Sequence, residues 1–134
     1  MPLDPFLSFG LFFLTSVAIA VLFLYLYALV TPYDDYKLIF EENNTAAAIG
    51  FGGAVLGLSI PLYSALAGSA SYIDFIIWAG VAMLIQLIFA FALTRVSSKL
   101  SFEQKINEGV VPVGVLMAFL SISIGLLNAG SMSY

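Results

Sequence analysis

An uncharged run of the chain covers residues 45–67 with the sequence TAAAIGFGGAVLGLSIPLYSALA. The run is long enough to cross the hydrocarbon core of a bilayer as a helix, which takes about 20 apolar residues. At about 100° per residue, its smallest residues cluster on one side of the helix and its bulky residues on another. The small face predicts close packing against another backbone, and the bulky face predicts contact with lipid.

The small face of this predicted helix contains a GxxxG spacing, Gly53 and Gly57, which lets two backbones approach closely. The whole face comprises Ala46, Gly50, Gly53, Gly57 and Pro61. A second apolar run, residues 110–129, has a similar face comprising Gly114, Ala118, Ser121 and Gly125. Two interpretations of these faces stay open, helix packing within one chain or an interface between copies in an oligomer.

Two further apolar runs, residues 6–30 and 73–94, bring the number of predicted spans to four. The 134-residue chain is 62% hydrophobic and 9% charged, whereas a soluble domain carries roughly a quarter charged residues. Lipid is therefore its expected solvent. The sequence predicts an all-α polytopic membrane protein that forms a single membrane domain, residues 1–134.

The ends of the runs carry residues that start or bend helices. Asp4 followed by Pro5 predicts an N-cap and a first-turn proline. Pro61 lies inside the second span, and a proline there predicts a bend whose freed carbonyl needs a neighbouring helix. Loops 31–44 and 95–109 each predict a short interfacial helix, one starting at Thr31-Pro32 and the other at Ser101.

Basic residues predict the orientation in the membrane. Lys37 lies in the first loop, and Arg95, Lys99 and Lys105 lie in the third. Since basic loops stay in the cytoplasm, loops 31–44 and 95–109 are predicted to be cytoplasmic and both termini outside. These loops are the expected contact for a cytoplasmic or membrane protein partner.

The acidic residues of the first loop are interpreted as solvated groups that cap helices. An alternative is that they bind a cation or a basic partner. The residues are Asp34, Asp35, Glu41 and Glu42.

The chain is predicted to contain a duplication, with repeat units 1–70 and 71–134. Each unit has two spans, so both units cross the membrane in the same direction and are related by an axis along its normal. When the first unit is aligned with the second at an offset of 66 residues, Tyr36 aligns with Phe102 and Glu42 with Glu108.

The sequence contains few residues that could catalyse a reaction or bind a metal. It has no histidine and no cysteine, and no span holds an ionisable group well inside, so we predict no enzyme, no metal site and no cofactor. Because the chain has only four basic residues and no basic patch, we predict no nucleic-acid partner.

Two amide side chains lie in the spans. Gln86, near the middle of a span, predicts either a hydrogen bond across helices or a pore-lining contact. Asn128, nearer the outer interface, could cap a helix end or link protomers.

Several motifs resemble the YjfL-like bacterial inner-membrane proteins, a family catalogued under a domain of unknown function. They are NTAAAI at 44–49, GGAVLG at 52–57, PL at 61–62, GLLNA at 125–129 and MSY at 132–134. The family has a Gly-Asn pair entering each even-numbered span, whereas this chain has Asn43-Asn44 and Gly109-Val110. The resemblance implies four spans with internal duplication in a bacterial inner membrane, and no activity. Family genes often lie beside genes for proteins resembling phage-shock protein A, which implies envelope maintenance by association.

Three hypotheses of function follow. The first is a non-enzymatic membrane protein that forms a homo-oligomer through its small-residue faces and serves an envelope assembly or membrane-stress system. The second is a small passive channel or transporter subunit assembled around an oligomeric axis. The third is a membrane anchor for a soluble enzyme bound at the two cytoplasmic loops. If Gln86 and the small faces line a wet cavity, transport is favoured; if they are buried between helices, the first hypothesis is favoured.

Overall fold

A computed structural model describes residues 4–95 and 101–132 of the chain. Its helices are, in chain order, α1 (Pro5–Val30), a π-helix (Lys37–Glu41), α2 (Thr45–Gly68), α3 (Tyr72–Arg95), α4 (Phe102–Asn107) and α5 (Val111–Gly130). Those two described ranges contain no strand. The all-helical fold class is confirmed, and α1, α2, α3 and α5 are each long and apolar enough to span a membrane.

The first span begins where its sequence signal predicts, and a side chain also caps the start of the third. The Phe6 backbone N–H donates to the Asp4 carboxylate at 2.8 Å, and Pro5 occupies the first position of α1. The Asp74 N–H donates to the Ser71 hydroxyl at 3.1 Å at the start of α3. These side chains satisfy backbone donors that have no partner inside the helix. Lys99, used for the predicted orientation, lies outside the described residues, as do Ser133 and Tyr134.

The start predicted for the first loop helix is wrong. Thr31 is extended, with φ −70° and ψ 144°, and it ends α1 instead. The residue before a proline is biased away from helical conformation, and Pro32 follows Thr31. Asp34 caps the next turn, since the Lys37 N–H donates to its carboxylate at 3.1 Å. The turns that follow form the π-helix, in which the Glu42 N–H reaches back five residues to the Lys37 carbonyl at 3.1 Å.

The helices pack into one bundle with unequal contacts. The most extensive contact joins α2 and α5, and both of these helices also contact α3. α1 lies against α2 and α3 and buries few residues, among them Phe23 and Tyr27. Most of its large apolar side chains are exposed, as expected for a helix that faces lipid. The bundle therefore has a closely packed pair, α2 and α5, and a peripheral helix, α1.

The order long helix, short helix, long helix occurs twice along the chain. Asn43 and Gly109 both have left-handed backbones, with φ of 53° and 75°, and each stands shortly before a spanning helix. The arrangement of units 1–70 and 71–134 as two parallel repeats stays a prediction.

Candidate functional site

The small-residue faces of α2 and α5 lie against each other. We call this contact the glycine seam, and all nine of its residues are buried. A Cβ built on Gly53 would overlap Cα and Cβ of Ala118, and one on Gly114 would overlap the Ala46 backbone. The seam thus joins the helices at backbone distance. Its members are Ala46, Gly50, Gly53, Gly57 and Pro61 of α2, with Gly114, Ala118, Ser121 and Gly125 of α5.

Pro61 accounts for the closest contact of the seam. A proline has no N–H, so the carbonyl four residues earlier, that of Gly57, lacks its usual helical donor. That carbonyl oxygen lies directly against Gly125 of α5, where an added Cβ would overlap it. A freed carbonyl in lipid needs a partner, and a glycine Cα–H directed at an oxygen is a weak donor. Gly125 therefore shields the backbone group that Pro61 leaves unpaired.

The two amides of the spans meet beside the seam. Gln86 is 3% exposed, and its Nε2 donates to the Ser121 carbonyl of α5 at 3.3 Å. Asn128 is 6% exposed, and its Nδ2 donates to the Ala82 carbonyl of α3 at 3.3 Å. The same nitrogen lies 3.4 Å from Gln86 Oε1. The pair links α3 to α5 by direct hydrogen bonds in a buried position.

Sequence reasoning identified both amides but did not bring them together. Gln86 lies in the middle of α3 and Asn128 near the end of α5, and neither position points to the other. The one available signal was chemical, since a strongly polar side chain in an apolar span seeks another polar group across a helix contact.

Asn44 ties the start of α2 to the third loop. Its Oδ1 accepts the Ala47 N–H at 2.9 Å, and its Nδ2 donates to the Ile106 carbonyl at 2.7 Å. Val110, which precedes α5, makes no such side-chain cap. A residue with a left-handed backbone, here Asn43, followed by an asparagine that caps the helix explains the Gly-Asn pattern. This chain has the capping asparagine before α2 and lacks it before α5.

Asp35 is the residue that sequence reasoning missed. The expectation of a solvated acid holds for Asp34, which is exposed and caps the turn that leads into the π-helix. It is wrong for Asp35, which is 1% exposed. The Thr31 hydroxyl donates to Asp35 Oδ2 at 2.5 Å, while Oδ1 has no hydrogen-bond partner. A hydroxyl four residues before the acid was the only local signal in the sequence.

Burial governs the chemistry of Asp35. Loss of water raises the pKa of its carboxyl from 3.8 to about 7, against the lowering effect of the Thr31 hydrogen bond. Within residues 4–95 and 101–132, no three acidic side chains gather where they could hold a metal ion. The group is therefore a single buried acid at the loop-one end of α1.

Comparison with known proteins places this architecture in a family. The family model described as Domain of Unknown Function (DUF350) matches residues 1–132. The UPF0719 inner membrane protein YjfL of Escherichia coli (strain K12) is 36% identical over 132 residues, which are 98% of each chain. The UPF0719 transmembrane protein YshE of Bacillus subtilis (strain 168) is 24% identical over 121 residues, 90% of each chain. No solved structure gives a significant match. The predicted resemblance is confirmed, and the chain is an integral membrane protein that belongs to the DUF350 family.

Proposed function

We propose that this protein is a non-enzymatic structural component of the bacterial inner membrane. It acts by associating with other proteins, in an envelope assembly or membrane-stress system. The relatives' names place them in a membrane and assign them no activity. The proposal therefore depends on the geometry of the bundle.

The observation that carries the proposal is the burial of Gln86 and Asn128. A transport pathway through the bundle would need polar groups that water or solute can reach. Here both amide nitrogens donate to backbone carbonyls of the same chain, and both side chains are almost inaccessible. These contacts favour a role in holding helices together over a role in lining a pore.

The spans also lack the groups of an active site. Acids and bases other than tyrosine occur only in the end turns of the four described spans, Asp74 in the first turn of α3 and Arg95 in its last. General acid–base catalysis needs such a group positioned at the reacting atoms. The distribution of ionisable groups supports a non-enzymatic role.

Self-association is part of the proposal. The small-residue faces pair with each other inside one chain, so an oligomer built on them would exchange α5 between copies, as in domain swapping. The loops at 31–44 and 95–109 are the surfaces we assign to a protein partner, because they carry most of the charged residues.

The first test measures transport by protein of known oligomeric size. Native mass spectrometry fixes the number of copies, and liposomes containing the purified protein are then assayed for ion and small-solute flux. We expect flux equal to that of protein-free liposomes. Flux above that level would contradict the proposal, and its loss in Gln86→Leu would make Gln86 a lining residue. Gln104→Leu, at an exposed position of α4, is the matched control.

A further inference from the structure

The Asp35 carboxyl is enclosed at the loop-one end of α1. One of its oxygens accepts the Thr31 hydroxyl, and the other has no hydrogen-bond donor. The Thr31 hydroxyl oxygen also lies 3.3 Å from the carbonyls of Ala28 and Tyr33. Because a hydroxyl donates one proton, these carbonyls add negative potential around Asp35 instead of relieving it.

The described titratable groups around Asp35 supply no compensating positive charge. Its titratable neighbours are Tyr27 of α1 and Tyr33 and Asp34 of loop one, all neutral or acidic. α5 contributes Met117, whose sulfur accepts the Tyr33 hydroxyl at 3.7 Å.

The described basic side chains at this end of the bundle are Lys37, Lys105 and Arg95. Lys37 and Lys105 are exposed, and the Arg95 guanidinium of α3 is engaged elsewhere. It donates to the Val30 carbonyl at 3.0 Å and lies 4.9 Å over the Phe91 ring. No described basic residue forms an ion pair with Asp35. Within residues 4–95 and 101–132, the carboxyl is thus buried without a cationic partner.

We propose that Asp35 is a proton-binding site, and that the protonated carboxyl keeps loop one docked on α2, α4 and α5. Burying an ionised carboxylate without a partner is so costly that such a group takes up a proton instead. Loop one is docked through Tyr33 and Leu38, both buried in a cluster with Met117. Ionisation of Asp35 therefore works against this docking. The proposal is independent of the function proposed above.

The pH dependence follows from the pKa of Asp35, which is raised from 3.8 to about 7 in the docked state. Below about pH 4 the carboxyl is protonated whether or not loop one is docked, so docking is most stable there. As pH rises from about 4 to about 7, only the undocked loop loses its proton, and docking weakens by up to about tenfold per pH unit. Above about pH 7 both states are ionised, and the dependence ends.

The direct test is an infrared titration of the purified protein in lipid nanodiscs. A protonated carboxylic acid has a carbonyl stretch that an ionised carboxylate lacks. The chain has no histidine and no cysteine, the side chains that ordinarily titrate near pH 7. We expect the band to disappear with a midpoint near pH 7, to be absent in Asp35→Asn, and to persist in Asp34→Asn.

Three outcomes would overturn the proposal. One is a wild-type protein without the band between pH 5 and pH 8, and another is a band that persists in Asp35→Asn. The third is a midpoint that moves when sodium replaces choline at constant ionic strength, which would make the occupant a sodium ion.

A second test follows the docking of loop one. The chain has no native cysteine, so Leu38→Cys introduces a single thiol at a buried position of the loop. Labelling by a maleimide is measured from pH 5 to pH 8, with Asp35 intact or changed to Asn. The labelling rate with Asp35 intact is divided by the rate in Asp35→Asn, which cancels the intrinsic pH dependence of the thiol. We expect this ratio to rise with pH as loop one undocks. A constant ratio would contradict the coupling of docking to Asp35.

Discussion

The α2–α5 contact and the contact of α1 with its neighbours are built in different ways. In the glycine seam, backbones touch, and a methyl group added at Gly53 or Gly125 would overlap the facing helix. α1 instead meets α3 through large rings, with the Phe12 and Phe75 centroids 5.5 Å apart. Lipid is as apolar as these side chains, so helices in a bilayer gain by close packing and hydrogen bonds. α2 and α5 therefore meet at backbone distance along the glycine seam, while α1 is attached by adaptable side chains.

The largest loss of stability is expected from a substitution that separates the two helices of the glycine seam. Gly53→Leu places a side chain where Ala118 already stands, so the helices must separate, at a cost of about 3 kcal/mol or more. We expect a large loss of thermal stability in detergent. Unfolding is measured by the fluorescence of Trp78, the only tryptophan of the chain. Gly52→Leu is the control, because an added Cβ at Gly52 meets nothing within 4 Å. Equal melting of the two variants would refute the backbone-contact description.

A smaller effect is expected from the amide pair beside the seam. Gln86→Leu keeps a similar volume but removes the donor to the Ser121 carbonyl and the acceptor near Asn128. Hydrogen bonds between membrane helices contribute about 1 kcal/mol. The same fluorescence measurement should give a loss of this size. Gln104→Leu, which removes only an exposed hydrogen bond to Glu108, should give a smaller loss. An increase in stability would mean that the amides are retained for another purpose.

The α1 contact should be the least sensitive to change. The Thr15 and Tyr72 hydroxyls share a hydrogen bond at 2.8 Å between α1 and α3. Tyr72→Phe removes it and keeps the ring, so we expect a loss of about 0.5–1 kcal/mol. Tyr63→Phe, at an exposed position of α2, is the matched control. A loss as large as that of Gly53→Leu would show that α1 is as tightly held as the seam.

The last prediction leaves packing unchanged and assigns a side of the membrane to each end of the seam. Single cysteines replace Glu103 on α4 and Ala70 between α2 and α3, both exposed positions. We expect a membrane-impermeant maleimide to label the Ala70 site from outside intact cells and the Glu103 site only after the membrane is opened. The reverse pattern would invert the predicted orientation.

Much of the fold could be predicted because it depends on local properties of the chain. An apolar run of sufficient length predicts a span, and the predicted run 45–67 differs from α2 by one residue at its end. The capping of α1 by Asp4 and of α4 by Ser101 is equally local. The small-residue faces were also visible, since helical periodicity places them on one side.

The parts that could not be predicted depend on contacts between distant segments. Periodicity identifies a small face but not its partner, and the pairing of Gly57 with Gly125 arises only when α2 and α5 meet. Loop one is a second example, because Thr31 has the local features of a helix cap. Its hydroxyl instead binds Asp35, which docking of the loop has removed from water.

The glycine seam has a consequence for the order in which the chain is made. Synthesis proceeds from the N-terminus, so α2 enters the bilayer two spans before α5, its main partner. During that interval lipid lies against the glycine face of α2, and the Gly57 carbonyl freed by Pro61 has no Gly125 beside it. A nascent chain that ends before Val111 is therefore an intermediate in which the glycine face of α2 is open, and the bundle closes only when its last helix is inserted.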